Sequence, residues 1–350
     1  MGRGPGNGGA EWIRGAGRDA DVVMSSRVRL ARNVAGVPFP NAAKREDRRL
    51  VVDMVRAATA EARPAESTLW VDMNECPPLE RSVLVERHLI SKEHAKGAEP
   101  RAAVISGPEE WLSIMVNEED HLRIQVMRSG LCLSEAFAQI DAVDDGLERR
   151  LTYSFSPRFG YLTACPTNVG TGMRVSVMLH LPALKITGEI DKVRRAAKGM
   201  NLAVRGFYGE GSDAVGDFYQ LSNQTTLGKS ERDLLDDFER RIVPEVIDYE
   251  RHAREALMKK RRVVLEDKVQ RAIGLLRHAR MLGADEALQL LSHVRLGVSL
   301  GVLDGVDVTG VNQLILDTQP AHLQRVAGRE MDQSERRVAR ATLVRERLAE

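Results

Sequence analysis

Two stretches of this chain alternate apolar and polar residues strictly, and a period of two restricts them to strands with one buried face. In Asp120–Met127, Leu122, Ile124 and Val126 share one face while His121, Arg123 and Gln125 share the other. In Arg174–His180, Val175, Val177 and Leu179 oppose Arg174, Ser176 and Met178. Asp21–Leu30 is β-rich at its start, and Trp70–Met73 and Ala103–Ile105 read as further short strands. Helical spacing predicts helices over 44–63, with Leu50, Met54 and Val55 on one face, and over 130–151, 189–201 and 229–260. Near residue 250 the alternation stops. From Arg251 onward the pattern is nearly strand-free, and Leu265, Val269, Ile273 and Leu276 mark an amphipathic helix. There Arg and Lys outnumber Asp and Glu by roughly five. We therefore expect a flexible segment over 1–20, a domain of mixed strands and helices over 21–252 and a basic helical domain over 253–350.

At 350 residues, 43% hydrophobic and 29% charged, the chain has enough apolar material for one large core and a smaller second unit. A net charge of +1 implies no general attraction to polyanions or membranes, and 4% aromatic content argues against a base-stacking nucleic-acid surface. Cys76, Cys132 and Cys165 are odd in number and widely spaced, which fits a reducing compartment and no disulfide framework. No signal peptide, myristoylation pattern or membrane-length apolar run is visible, so a cytoplasmic location is expected.

Four polar clusters interrupt the apolar pattern: Ser25–Arg29, Asn117–Arg123, Cys165–Arg174 and Arg205–Ser212. Arg27, Arg29, Arg123, Arg174 and Arg205 all lie in or beside strand-like segments, and an extended backbone puts Arg27 and Arg29 on one face. Taken singly, each reads as a solvated residue. Taken together they suggest a converging cradle, because guanidinium forks match the planar oxygen triads of a triphosphate. The usual Gly-rich phosphate loop is missing: Leu227-Gly228-Lys229-Ser230 has Asn223 where the first glycine is required. Gly170-Thr171-Gly172 lacks the third glycine of a dinucleotide site, and its glycines fit a tight turn beside a ligand. The run Glu118-Glu119-Asp120 reads either as a solvated turn or, beside His121 and Arg123, as a carboxylate set with one raised pKa, suited to a general base or a magnesium ligand. Glu210 is a second isolated carboxylate in a Gly-rich loop, and Cys165 on its own reads as a buried structural thiol.

At these clusters the sequence resembles the phosphagen (guanidino) kinases, through NEEDHLRIQ at 117–125 and CPTNVGTGMR at 165–174. The resemblance is strongest to their bacterial protein-arginine kinase branch and spans roughly 21–345. It includes SSRVRLARN (25–33), ERHLIS (86–91), GYLTACPTNVGTG (160–172), RGFYGEGSDAVG (205–216), YQLSNQTTLGKSE (219–231) and DTQP (317–320). The fold this implies is α+β, a large antiparallel sheet flanked by helices, followed by a helical C-terminal domain. The resemblance implies an ATP site of Ser25, Ser26, Arg27, Val28, Arg29, His88, Arg123, Arg174, Val175, Ser176, Val177, Met178, Arg205, Gly206, Phe207, Tyr208, Gly209 and Glu210. It makes Glu119 the catalytic base, Glu118 and Glu210 clamps on the acceptor guanidinium, and Cys165 the active-site cysteine, with ATP and Mg²⁺ as cofactors and no dedicated protein metal site.

Kinases of free guanidino compounds in this family carry a helical domain ahead of the SSRVR-like motif. Here some twenty residues precede Ser25 and the helical addition follows the catalytic part. An acceptor site without that lid admits arginine on a protein surface, so protein substrates are expected over free guanidines. A non-catalytic phosphoarginine- or nucleotide-binding adaptor is the other alternative, and the intact carboxylate and arginine set argues against it. The protein-arginine kinase branch carries an RDxxRA motif that binds phosphoarginine; here the matching positions are Arg336, Arg337, Arg340 and Ala341, with Arg337 where the branch has Asp. Arg336 and Arg340, four apart, remain on one helical face for a phosphate. The resemblance also implies a homodimer, a zinc-binding activator protein, a heat-shock repressor as substrate, and a ClpC-type protease that degrades the marked proteins.

Overall fold

The computed structural model describes residues 9–207 and 215–349. Its strands are β1 (Val23–Arg32), β2 (Thr68–Asp72), β3 (Ala102–Ser106), β4 (Leu112–Val116), β5 (Leu122–Ser129), β6 (Phe155–Ser156), β7 (Gly160–Tyr161), β8 (Met173–His180), β9 (Leu202–Arg205) and β10 (Phe218–Asn223). Eight of them form one sheet in the order β2-β3-β4-β5-β1-β8-β10-β9, every neighbouring pair antiparallel. β6 and β7 form a small separate hairpin. The antiparallel sheet with flanking helices matches expectation.

The two faces of the sheet are buried differently. Val28, Ile114, Ile124, Val126, Val175 and Val177 point to one side and pack on helices that include Arg45–Ala62, Leu133–Glu148 and Val243–Lys260. Full burial of each such aliphatic side chain is worth about 1.5–3 kcal/mol, so this face anchors the sheet. Met115, Met127, Met178 and Phe218 point to the other side, where part of the face packs on the C-terminal helices through Leu276, Leu288, Leu291 and Ile315. The rest of that second face is polar and open.

Three expectations are corrected. The segment 9–20 is packed, not flexible: Ala10, Trp12 and Ile13 are buried, and Trp12 Nε1 donates to the Arg87 carbonyl at 3.2 Å. The buried face of Arg45–Ala62 is Val51, Val55, Ala58 and Thr59, while Leu50 is 51% exposed. Leu50 and Val55 are five residues apart, about 140° around a helix, and cannot share a face. The helix expected over 229–260 is continuous in path but widens over Asp237–Ile242. Pro244 follows at once and has no N–H for the Arg240 carbonyl, which favours the wider turn.

Candidate functional site

Strand register decides which polar side chains meet. In an antiparallel sheet, residues directly opposite one another point to the same side. Arg29 lies opposite Gln125 of β5 and Arg174 of β8, and Arg27 lies opposite Met127 and Ser176. Gln220 of β10 pairs with Met178 on one side and Arg205 of β9 on the other. Arg123, Arg27, Arg29, Arg174 and Arg205 therefore emerge from four strands onto one face. They line a cleft of about 610 Å³ together with His88, Ser91, Glu118, Glu119, Cys165 and Gly172.

The same parity sends three expected site residues elsewhere. Val28 and Val175 lie in the core behind the sheet. Ser26 is fully buried, donates to the Gly130 carbonyl at 2.8 Å and accepts from Cys132 N–H. These three side chains cannot touch a ligand in the cleft. Ser25, Ser176 and Met178 line a smaller adjoining recess of about 20 Å³ with Trp12, Arg27, His88 and Gln220; Val177 borders it too, but its side chain shares the parity of Val175 and lies in the core behind the sheet. Gly206 and Phe207 are buried beside it, the Phe207 ring 5.3 Å from His88. Tyr208, Gly209 and Glu210 lie outside the described residues.

The electrostatics of the arginine face are those of like charges buried close together. Burial, then the charges of Arg123, Arg174 and Arg205, brings Arg27 down to about 9. Burial and its neighbours push Arg29 well below the ordinary arginine value, and Arg29 Nε is buried with no hydrogen-bond partner. Arg123 differs. Burial works against its charge, but Glu118 outweighs it and raises its pKa.

Glu118 accepts from Arg123 Nη1 at 2.8 Å and from Ser91 Oγ at 2.6 Å. Burial alone would raise this carboxyl, but Arg123 and Ser91 hold it at about 2. Glu118, expected as an acceptor clamp, lines the cleft with both its oxygens engaged by the protein's own groups. Glu119 is exposed at the cleft. The raised carboxyl of the acidic run is Asp120, lifted by burial and by Glu119 and Glu118 against hydrogen bonds from Ala164 N–H and Asn33. His88, lowered to about 3 by burial and then by Arg27 and Lys92, is a neutral ring edge-on to Trp12 at 4.8 Å.

Cys165 is half-buried at the cleft, its Sγ 3.0 Å from Thr167 Oγ1, so the reading of a buried structural thiol is corrected. The turn that follows needs its glycines. Gly172 has φ +64°, and a Cβ there would lie 2.6 Å from the Ala31 carbonyl. Arg32, on the opposite face of β1 from Arg27 and Arg29, braces this turn by donating to the Thr171 carbonyl at 2.9 Å and pairing with Asp144 at 2.7 Å.

Sequence reasoning missed Ser91, Gln125, Gln220 and Trp12. Gln125 shares the parity of Arg123 and was legible; Trp12 was hidden in a segment read as flexible. In the C-terminal part, Arg336 and Arg340 do not present a free pair of forks. Arg340 is buried and donates to the Thr318 and Leu282 carbonyls at 2.7 and 2.9 Å. Arg336 donates to the Met331 carbonyl, Arg337 is exposed and Ala341 is in the core.

Among the described residues, no helix is long and apolar enough to cross a membrane, and no group of three or more His, Cys, Asp or Glu is placed to hold a metal ion.

Residues 50–253 match the model of the ATP:guanido phosphotransferase C-terminal catalytic domain, and residues 262–350 match that of the protein-arginine kinase McsB C-terminal domain. The chain is 47% identical to the protein-arginine kinase of Symbiobacterium thermophilum over 344 residues, 97% of each chain. It is 43% identical to that of Halothermothrix orenii over 339 residues, 97% of this chain and 96% of the relative. Among solved structures it is similar to a lombricine kinase, with 27% identity and a TM-score of 0.59 over 71% of this chain and 70% of that one. A duplicated taurocyamine kinase from Schistosoma mansoni, solved with transition-state-analogue components, matches with 25% identity and a TM-score of 0.59 over 66% of this chain and 33% of that one.

Proposed function

Because the chain belongs to the ATP:guanido phosphotransferases and, within them, to the protein-arginine kinases, we propose that the open cleft is where the ATP γ-phosphoryl group meets a protein arginine, with Glu119 as the base. The chain is a phosphotransferase that uses ATP and acts on arginine in proteins. What supports this assignment of the site is a single observation: five guanidinium groups from four strands face the same cleft as an exposed carboxylate.

Arg27, Arg29, Arg123, Arg174 and Arg205 cradle the phosphates. Burial and then mutual repulsion lower Arg27 and Arg29, and a polyanion that enters offsets both. The recess by Trp12, Ser25, His88, Ser176, Val177 and Met178 takes the nucleoside end, with Gly206 and Phe207 behind it and Tyr208 to Glu210 completing the family's motif. Mg²⁺ would enter with the nucleotide, because it prefers phosphate oxygens and keeps much of its water. When bound, it neutralises phosphate charge.

A guanidinium with a pKa above about 12 is a poor nucleophile until a nitrogen sheds its proton. Glu119 accepts that proton as the N–P bond forms, and the bond to the leaving oxygen of ADP breaks. The arginines hold the charge that develops on the phosphoryl oxygens. Glu118 fixes Arg123 in the array, so gripping the acceptor falls to Glu119 and Glu210. Cys165 borders the acceptor end.

The test is to incubate the enzyme with ATP and either free arginine or an unfolded protein, then look for acid-labile phosphate and for phosphoarginine by mass spectrometry. Labelling of protein arginine is expected; labelling of the free amino acid alone overturns the reading. ATP binding with no turnover, with or without acceptor, favours the non-catalytic adaptor. Glu119→Gln is expected to lower kcat at least 100-fold with ATP Kd nearly unchanged, and an unchanged rate removes Glu119 from the mechanism. The same membership supports a cytoplasmic homodimer that marks proteins for degradation, with a zinc-binding activator, a heat-shock repressor as substrate and a ClpC-type protease. It also supports phosphoarginine binding near Arg336, Arg337 and Ala341 once Arg340 releases its carbonyls.

A further inference from the structure

Glu119 acts only if it is held at a fixed distance from the other reacting groups, and the sheet does not do this. β5 pairs with β4 and β1, whereas Glu119 precedes β5 and the segment 162–165 lies outside any strand. Asn33, directly after β1, is 1% exposed and spans that gap. Its Oδ1 accepts from His121 N–H at 2.9 Å. Its Nδ2 donates to Asp120 Oδ1 at 2.6 Å and to the Leu162 carbonyl at 3.1 Å. Asp120 Oδ1 also accepts from Ala164 N–H at 2.7 Å, one residue before Cys165.

Glu119 is thus fixed from both sides. Glu118 is bound by Arg123 and Ser91, and Asp120 by Asn33 and Ala164. We propose that Asn33 is a positioning residue that sets the distance between Glu119 and the Cys165 segment. This rests on the assignment of Glu119 as the base. One amide suits the task because it offers an acceptor to a backbone N–H and two donors to two oxygens, and all three partners are present. Displacing a catalytic group by about 1 Å is enough to lower a rate roughly 100-fold.

The experiment is a double-mutant cycle in the full chain, reading kcat and KM for ATP with an unfolded protein as acceptor. Asn33→Leu removes all three hydrogen bonds at similar volume. It is expected to lower kcat roughly 10- to 100-fold while KM for ATP stays within about twofold. In the Glu119→Gln background the same change is expected to cost less than about threefold, because Asn33 acts through Glu119. The alkylation rate of Cys165 by iodoacetamide is expected to change in Asn33→Leu but not in Glu119→Gln. Where Asn33→Leu fails to fold, Asn33→Ser, which retains an acceptor for His121 N–H, is carried through the same cycle. An equal factor in both backgrounds, or kcat within threefold of the parent, overturns the proposal while leaving the base intact. A Glu119→Gln variant with unchanged kcat overturns the base assignment itself.

Discussion

Glu118 and Glu119 are adjacent in the chain and do different work, and the difference comes from what surrounds each carboxylate. Glu118 is enclosed by Arg123 and Ser91 and held at about 2 against an ordinary 4.5. A lowered carboxyl pKa stabilises the fold above the unfolded value and loses that contribution as pH falls through the folded one. Removing the Ser91 hydroxyl lets the Glu118 pKa rise back toward 4.5. Ser91→Ala is therefore expected to lower unfolding free energy by about 1–3 kcal/mol at pH 7, and the gap should narrow as pH approaches 2. Urea midpoints measured from pH 7 to 2.5 check this. A gap that does not vary with pH would mean that the hydroxyl serves something other than an ionised Glu118.

The strands explain why five like charges stay together at all. Each arginine is delivered to the cleft by the alternation of its own strand, whose other face lies in the apolar core, so burial on that side holds the array against its own repulsion. The folded state disfavours the charge on Arg27, through burial and then through Arg123, Arg174 and Arg205, so a polyanion entering the cleft should relieve a cost the free protein carries. Tripolyphosphate alone is expected to stabilise the protein, by about 2.7 kcal/mol at a hundredfold excess over its Kd. Thermal melts with tripolyphosphate, and with sodium chloride at matched ionic strength, separate specific binding from screening. Equal shifts in both salts would mean the arginines do not act as one site. This parity was legible in the sequence, because Arg27 and Arg29, or Arg123 and Gln125, are two apart on one strand. Register was not, since nothing local says that Arg29 faces both Gln125 and Arg174. Asn33 was equally hidden, because its partners lie 87 and 129 residues away.

At the scale of the whole molecule, the C-terminal helices are tied into the sheet by buried polar side chains as well as by apolar contact. Glu86, two residues before His88, accepts from the N–H groups of Ala321 and His322 at the start of the helix Pro320–Ala327. Arg295, from the helix Ala284–Ser299, is fully buried and donates to the Ala20 carbonyl at 2.7 Å, the Asp21 carbonyl at 2.9 Å, His180 Nδ1 at 2.8 Å and Asn312 Oδ1 at 3.0 Å. These bonds fasten the entry to β1 and the end of β8, the two strands that carry Arg27, Arg29 and Arg174. Helical periodicity in the sequence marks which face of each helix is apolar but not which surface it meets, so this docking was not legible beforehand. Arg295→Met keeps the volume and strands at least three buried acceptors, a loss of roughly 3–5 kcal/mol. With the helices and sheet sharing one polar seam, denaturant should unfold the parent in a single transition, and the variant should unfold at a lower midpoint with its slope unchanged. ATP affinity should fall in step, because the start of β1 loses its anchor. Two separate transitions in the parent, or a variant that binds ATP normally while losing stability, would mean that the C-terminal helices and the arginine face are held independently.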